Sequence, residues 1–270
     1  MRSQWHNAVT GWGHNMNRTP PAMVLRELRR EVGFGCPVPD CGNPYLTWHH
    51  FDPPWHQDEH HNPAGMIALC IEHHPKADAG AFTKEQLHEF KRSIGPQREQ
   101  IKGRFDWMRL KLLAVLGGNF YYETPVLISF KGDPVVWFRR DDEGYLLFNI
   151  RMFTISKEPR TRIEDNFWIS RGNPVDLESP PSGKLLKVRY ANGDFLKVEY
   201  IELGSVAEAS DRYHDSRPEN WNLEFPVTAV EVQMIVVGTD IKIGPRETKL
   251  PGIIISGAFF KNGGTGIALT

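Results

Sequence analysis

Four potential metal ligands stand in two close pairs: Cys36 and Cys41 in CPVPDC, and Cys70 and His73 in CIEH. Each spacing lets a single turn of chain present two side chains to one ion. Three thiolates and an imidazole form the kind of four-ligand set that tetrahedral Zn2+ takes in structural sites. The first pair sits among Gly, Pro and Asp, which suit a tight knuckle. The second follows the apolar run MIAL. A plainer reading makes Cys70 a core residue and Cys36–Cys41 an incidental loop pair. Against it, the chain has only three cysteines, and all fall in these two motifs. An odd cysteine number also argues against a disulfide framework.

The segment LTWHHFDPPWHQDEHHNPAGMIALCIEHHPKAD, from Leu46 to Asp78, crowds histidines in adjacent pairs. Histidine binds transition metals and moves protons near neutral pH. His49 and His50 are neighbours in an extended stretch, where successive side chains point to opposite faces. One can ligate an ion while the other faces a scissile bond. His74 and Asp78 are four apart, so a helix opening at HHPKAD puts both on one face. Capping or surface histidines are the alternative for His73 and His74.

Ten of the eleven histidines and all three cysteines precede residue 89, which marks a compositional boundary. Residues 1–20 read as an extension. PPAMVLRELRREVG reads as a helix stopped at Gly33. TKEQLHEFKRSI reads as another, capped by Thr83, with Leu87, Phe90 and Ile94 on one face. QREQIKGRFDWMRLKLLAVLG spaces Ile101, Phe105, Met108, Leu112 and Val115 three or four apart, which predicts a linker helix over 96–118 ended by Gly117-Gly118. The basic residues of these helices, among them Lys91, Arg104, Arg109 and Lys111, read as a solvated face, with phosphate contact as the alternative. From 119 to 270, β-type runs bounded by Gly, Pro, Asn and Asp predict about eight strands. YANGDF is the strongest turn signal among them. Trp137, Trp168 and Trp221 are expected in that core. The fold class expected is α+β, with a zinc-stabilised N-terminal domain over 21–95, the helical linker and a mainly antiparallel β domain.

A net charge of −1 gives no general basic field for nucleic acid. Residues 1–115 carry 14 Lys+Arg against 12 Asp+Glu, leaving 18 against 21 for the remainder, so any nucleic-acid contact must be local. No apolar run of about 18 residues and no secretory signal appear, so a cytoplasmic protein without a membrane partner is expected.

The stretch CPVPDCGNPYLTWHHFDP…MIALCIEHH resembles the HNH endonucleases, which have the ββα-metal fold. The resemblance covers roughly residues 24–92 and rests on paired knuckles around His49-His50-Phe51-Asp52-Pro53. It implies that His49 and His74 ligate a catalytic Mg2+ or Mn2+, with Asp78 as a further ligand. It implies that His50 is the general base. It implies that Cys36, Cys41, Cys70 and His73 hold a structural zinc, although His73 and His74 could exchange labels. The family's middle asparagine usually lies where Ala64 and Gly65 stand here, so Asn62 is the nearest candidate. His56, His60 and His61 have no family role and read as loop histidines near phosphate. The helix starting near His74 would lie at the minor groove, making backbone contacts of little sequence specificity.

The function expected is metal-dependent hydrolysis of DNA phosphodiesters, with a recognition or sensor domain at 119–270. Such fusions resemble bacterial restriction or anti-phage effectors, whose second domain meets a target, a defence-system partner or a second copy of the chain. The alternative is a non-catalytic zinc-knuckle module that binds nucleic acid or protein. His49-His50 separates the two, because a purely structural knuckle needs neither. A zinc hydrolase of another substrate is disfavoured by the absence of an H-E-x-x-H helix.

Overall fold

A computed structural model describes residues 16–93, 99–213 and 216–269. The expectation for residues 1–20 therefore lies largely outside the described residues, as does Ile94. The protein is α+β, with few helices and a large, mainly antiparallel β region. No helix among the described residues is long and apolar enough to cross a membrane.

The N-terminal part is built on a two-stranded antiparallel hairpin, β1 (Leu46–His50) with β2 (Met66–Cys70), in which His50 pairs with Met66 and Leu46 with Cys70. Three helices surround it: α1 (Ala22–Glu31), α2 (His73–Asp78) and α3 (Lys84–Ser93). Helix α1 turns Leu28 inward, and Val32 just beyond its end continues that face. Helix α3 contributes Leu87 and Phe90. All four pack with Leu46, Met66 and Ile67 in one apolar cluster. Thr83 starts α3 through its hydroxyl, which accepts from the Gln86 N–H.

Among the described residues of the predicted linker, 99–118, no helix is formed. Residues 101–116 hold two strands, β3 (Ile101–Arg104) and β4 (Leu112–Leu116), and both belong to the β region. Gly117 and Gly118, with φ of 56° and 69°, make the two-residue turn of a hairpin rather than a helix stop. That backbone fits a type I′ turn, which needs positive φ at both central positions. The boundary at 118/119 is corrected accordingly, because β4 lies between Val227–Ile235 and Asn119–Tyr122. The helical reading failed because LLAVL is buried on both faces. Leu112, Ala114 and Leu116 enter one core, while Leu113 and Val115 enter another. A continuously apolar strand is hard to tell from a buried helix by periodicity alone.

Among the described residues, the β region comprises a seven-stranded and a ten-stranded sheet, more strands than the eight expected, many of them very short. Both sheets feed a shared core that includes Leu127, Val136 and Phe148 from one and Leu186, Val198 and Val230 from the other. The YANGDF turn joins Leu185–Arg189 to Phe195–Leu203 as expected. Trp168 and Trp221 are buried, whereas Trp137 is only half-buried and lies under the Arg151 guanidinium.

Polar contacts help fix the N-terminal part against the β region. Arg29 and Asp176, both buried, pair at 2.9 Å, with Arg26 adding a second bond at 3.2 Å. The Tyr45 hydroxyl accepts the Arg104 N–H at 2.7 Å and donates to the Arg104 carbonyl.

A second buried ion pair joins Arg160 to Asp194 at 2.9 Å inside the β region. Burial alone would raise the Asp194 carboxyl. Hydrogen bonds from Asn192, Arg160, the Val237 N–H and Thr154 outweigh it and hold the group below the usual carboxylate range. A depressed folded value means the contribution is complete above the unfolded value of about 4 and is lost as pH falls through the folded one. Asp194→Ala strands a buried guanidinium and is expected to cost about 3–5 kcal/mol. Urea unfolding at neutral pH measures this, and the gap from wild type should narrow in acid.

Candidate metal centre

The ligand atoms of Cys36, Cys41, Cys70 and His73 all lie within 4.8 Å of one another. Cys41 Sγ is 3.7 Å from Cys70 Sγ, and His73 Nδ1 is 3.5 Å from Cys36 Sγ and 3.2 Å from Cys70 Sγ. Zinc bonds of about 2.3 Å to sulfur and about 2.0–2.1 Å to nitrogen, set tetrahedrally, put S···S near about 3.8 Å and S···N near about 3.5 Å. The cluster is compatible with a zinc site. Burial pushes the Cys36 thiol up to about 12 and raises that of Cys41. The protein alone therefore does little to stabilise thiolates here; a cation among the sulfurs would supply that stabilisation.

A second cluster gathers His49, His74 and Asp78. His49 Nδ1 stands 3.0 Å from Asp78 Oδ1, and His74 Nε2 stands 3.6 Å from Asp78 Oδ2. The geometry follows from matching periods. Two residues along a strand advance about 6.7 Å, and four along a helix advance about 6 Å. Thr47 and His49 on β1 thus run level with His74 and Asp78 on α2. The ambiguity between His73 and His74 is removed: His73 joins the sulfurs and His74 joins Asp78. Burial lowers the pKa of His49 and of His74, opposed in both by Asp78. Neutral imidazole is the form a metal needs.

His50 ends β1 on the opposite side from His49. Its ring packs edge-on against Trp55 at 4.7 Å and His60 at 5.2 Å. Neither ring nitrogen makes a hydrogen bond of normal geometry to a described residue. Burial, then the nearby His60 and His61, push its pKa to about 4, while the His60 backbone pulls the other way. This is well below the working-pH value expected of a base, so the imidazole is neutral at pH 7. An open cleft is lined by His49, His50 and Asp78 together with Arg18, Trp55 and Lys84.

Asn62 does not join this group. Its side chain is exposed, and its Oδ1 accepts the Ala64 N–H at the start of a short turn into β2. The catalytic expectation for Asn62 is replaced by a capping role. His60 is likewise structural, bonding the Pro53 carbonyl at 2.9 Å through Nε2 and receiving the Asn62 N–H through Nδ1. His61 Nε2 meets the Asn17 carbonyl.

Three residues that hold the hairpin and α2 carried little signal in the sequence. Lys91, read as part of a solvated face, is nearly buried and donates to the Pro63 and Met66 carbonyls while pairing with Glu31. Thr47 bonds His74. Gly65 lies so close to the turn after β1 that an added Cβ would sit 1.9 Å from the Asp52 carbonyl oxygen. Its own carbonyl accepts the Phe51 and Asp52 N–H groups. Gly65→Ala should therefore push the strands apart beside His50 and cost about 1–3 kcal/mol, measurable as a fall in Tm with zinc retained.

Comparison with protein-family models, curated proteins and solved structures gave no match for the chain.

Proposed function

We propose that the chain is an HNH-type endonuclease that hydrolyses DNA phosphodiester bonds with a divalent ion. The observation that carries the reading is the placement of His50 beside, but outside, the His49–His74–Asp78 cluster, with His50, His49 and Asp78 lining one cleft. A zinc module with no catalysis needs neither group.

The donor set fits such an ion. Two neutral imidazoles and a carboxylate suit Mn2+ better than Mg2+, which prefers oxygen. His49, His74 and Asp78 would hold the ion, with His49 Nδ1 and Asp78 Oδ1 standing 3.0 Å apart. When bound, the ion supplies positive charge that polarises the phosphate and stabilises the departing 3′ oxygen. The chain's own residues do the rest. His50 would take a proton from attacking water through its unprotonated ring nitrogen, which is buried beside Trp55 and His60 and must be uncovered when DNA binds. A nearby phosphate favours its protonated form and so raises its basicity on substrate binding. Arg18 and Lys84 place cationic groups at the cleft, and Lys84 is held by Asp52 at 2.7 Å. The buried zinc-type cluster fixes the start of α2, which carries both His74 and Asp78.

The reading extends to a role for the β region in recognising a target, a trigger or a partner, in the manner of restriction or anti-phage effectors. The test is the ion requirement of cleavage. His74→Ala and Asp78→Ala should each need a higher Mn2+ concentration for half-maximal cutting of duplex DNA, with partial rescue at high Mn2+. An unchanged Mn2+ requirement in both would remove this cluster from the reaction.

A further inference from the structure

We infer that Thr47 is a positioning residue: its hydroxyl fixes His74 as the Nδ1–H tautomer and so turns the bare Nε2 toward Asp78 and the ion. The inference rests on the proposed ion at His49, His74 and Asp78. It goes further in assigning a role to a residue outside the ligand set.

The protons available to Thr47 and His74 bear on the tautomer. Thr47 Oγ1 lies 3.0 Å from the Leu69 carbonyl oxygen and 2.8 Å from His74 Nδ1. A hydroxyl has one proton to give. The carbonyl can only accept, and in the arrangement we infer Oγ1 gives its proton to Leu69. Oγ1 must then accept from His74, and the ring proton sits on Nδ1. A neutral imidazole carries a single N–H, which leaves Nε2 with its lone pair.

The opposite tautomer has no comparable support. It would place the proton on Nε2, where the nearest acceptor, Asp78 Oδ2, is 3.6 Å away. That is too long for a hydrogen bond. It would also bring two lone pairs together at 2.8 Å unless Thr47 abandoned the Leu69 carbonyl. In the favoured tautomer, the bare Nε2 and a carboxylate oxygen converge with no proton between them. A cation relieves that arrangement. Outer hydrogen bonds that hold a ligating histidine commonly change metal affinity by about 10- to 100-fold when removed. Position 47 can do this because it is two residues before His49 on β1, on the face that meets α2.

The experiment uses the full chain, loaded with zinc and labelled with 15N. Two-bond 1H–15N correlation of the histidine rings, before any Mn2+ is added, reads the tautomer, with His74→Ala assigning the signals. Wild type should show Nδ1 protonated and Nε2 bare. Thr47→Val should shift His74 toward the Nε2–H form or a mixture, and Thr47→Ser should keep the wild-type pattern. Calorimetric titration with Mn2+ should then show about 10- to 100-fold weaker binding for Thr47→Val and near-normal binding for Thr47→Ser, with zinc content unchanged in both. A wild-type His74 protonated on Nε2 overturns the inference, as does a Thr47→Val protein with unaltered tautomer and Mn2+ affinity. Either result leaves the nuclease reading standing. Tautomer control and Mn2+ binding as expected, without DNA cleavage, would leave Thr47 its role and overturn the nuclease reading instead.

Discussion

Cys70→Ala is expected to release the zinc and unfold the β1–β2 region with its helices. Cys70 is buried, ends β2 and sits within contact distance of both Cys41 and His73. Structural zinc binding is worth roughly 10–16 kcal/mol in small zinc domains. That matches or exceeds the whole stability of a typical domain, about 5–15 kcal/mol. The local apolar cluster around Leu28, Met66 and Leu69 is small and has little to offset such a loss. Elemental analysis should find less than one zinc per chain. Limited proteolysis should cut within residues 36–78 while the β region persists. A Cys70→Ala protein that keeps zinc and resists the protease would remove Cys70 from the ligand set.

His50→Ala should have the opposite signature. No sulfur of the zinc-type cluster touches His50, so zinc content and melting should stay near wild type. DNA cleavage should fall by about 100- to 10,000-fold, the usual contribution of a positioned general base. Truncation beside Trp55 and His60 leaves a small gap, but both neighbours are held independently, His60 by the Pro53 carbonyl. Cleavage kinetics on supercoiled plasmid, run beside zinc analysis, separate the two variants. Loss of zinc in His50→Ala would mean that the histidines have been assigned to the wrong clusters.

The two variants also mark what could be read from the chain. The zinc-type ligands and the His74–Asp78 pair are legible because metal chemistry accepts few residue types and those types stand at turn and helix spacings, whereas the joining of His49 to that pair is implied by the HNH resemblance; the structure brings the three side chains together. The adjacency of His73 and His74 left their labels open; the start of α2 at His73 assigns them, one residue of rotation sending each ring to a different cluster. The stretch 101–116 was misread because its burial pattern depends on a second core around Phe120 and Trp221 that no local window contains. Thr47, Gly65 and Lys91 were missed for a related reason. Each acts through a backbone or ring partner distant in sequence, as Lys91 does with Met66. The pairing of Arg29 with Asp176 spans 147 positions and is likewise invisible to spacing. The low pKa of His50 depends on burial and on His60 and His61 folding over it, which composition does not convey.

The measurement closest to the central claim is incubation of the purified, zinc-loaded full chain with supercoiled plasmid in Mn2+, in Mg2+ and in EDTA. The account predicts nicked and linear products with a divalent ion, none in EDTA, and at least about a 100-fold slower reaction for His50→Ala. A folded protein with one zinc that leaves the plasmid intact in both Mn2+ and Mg2+ would contradict it, and would leave a zinc-stabilised binding module in its place.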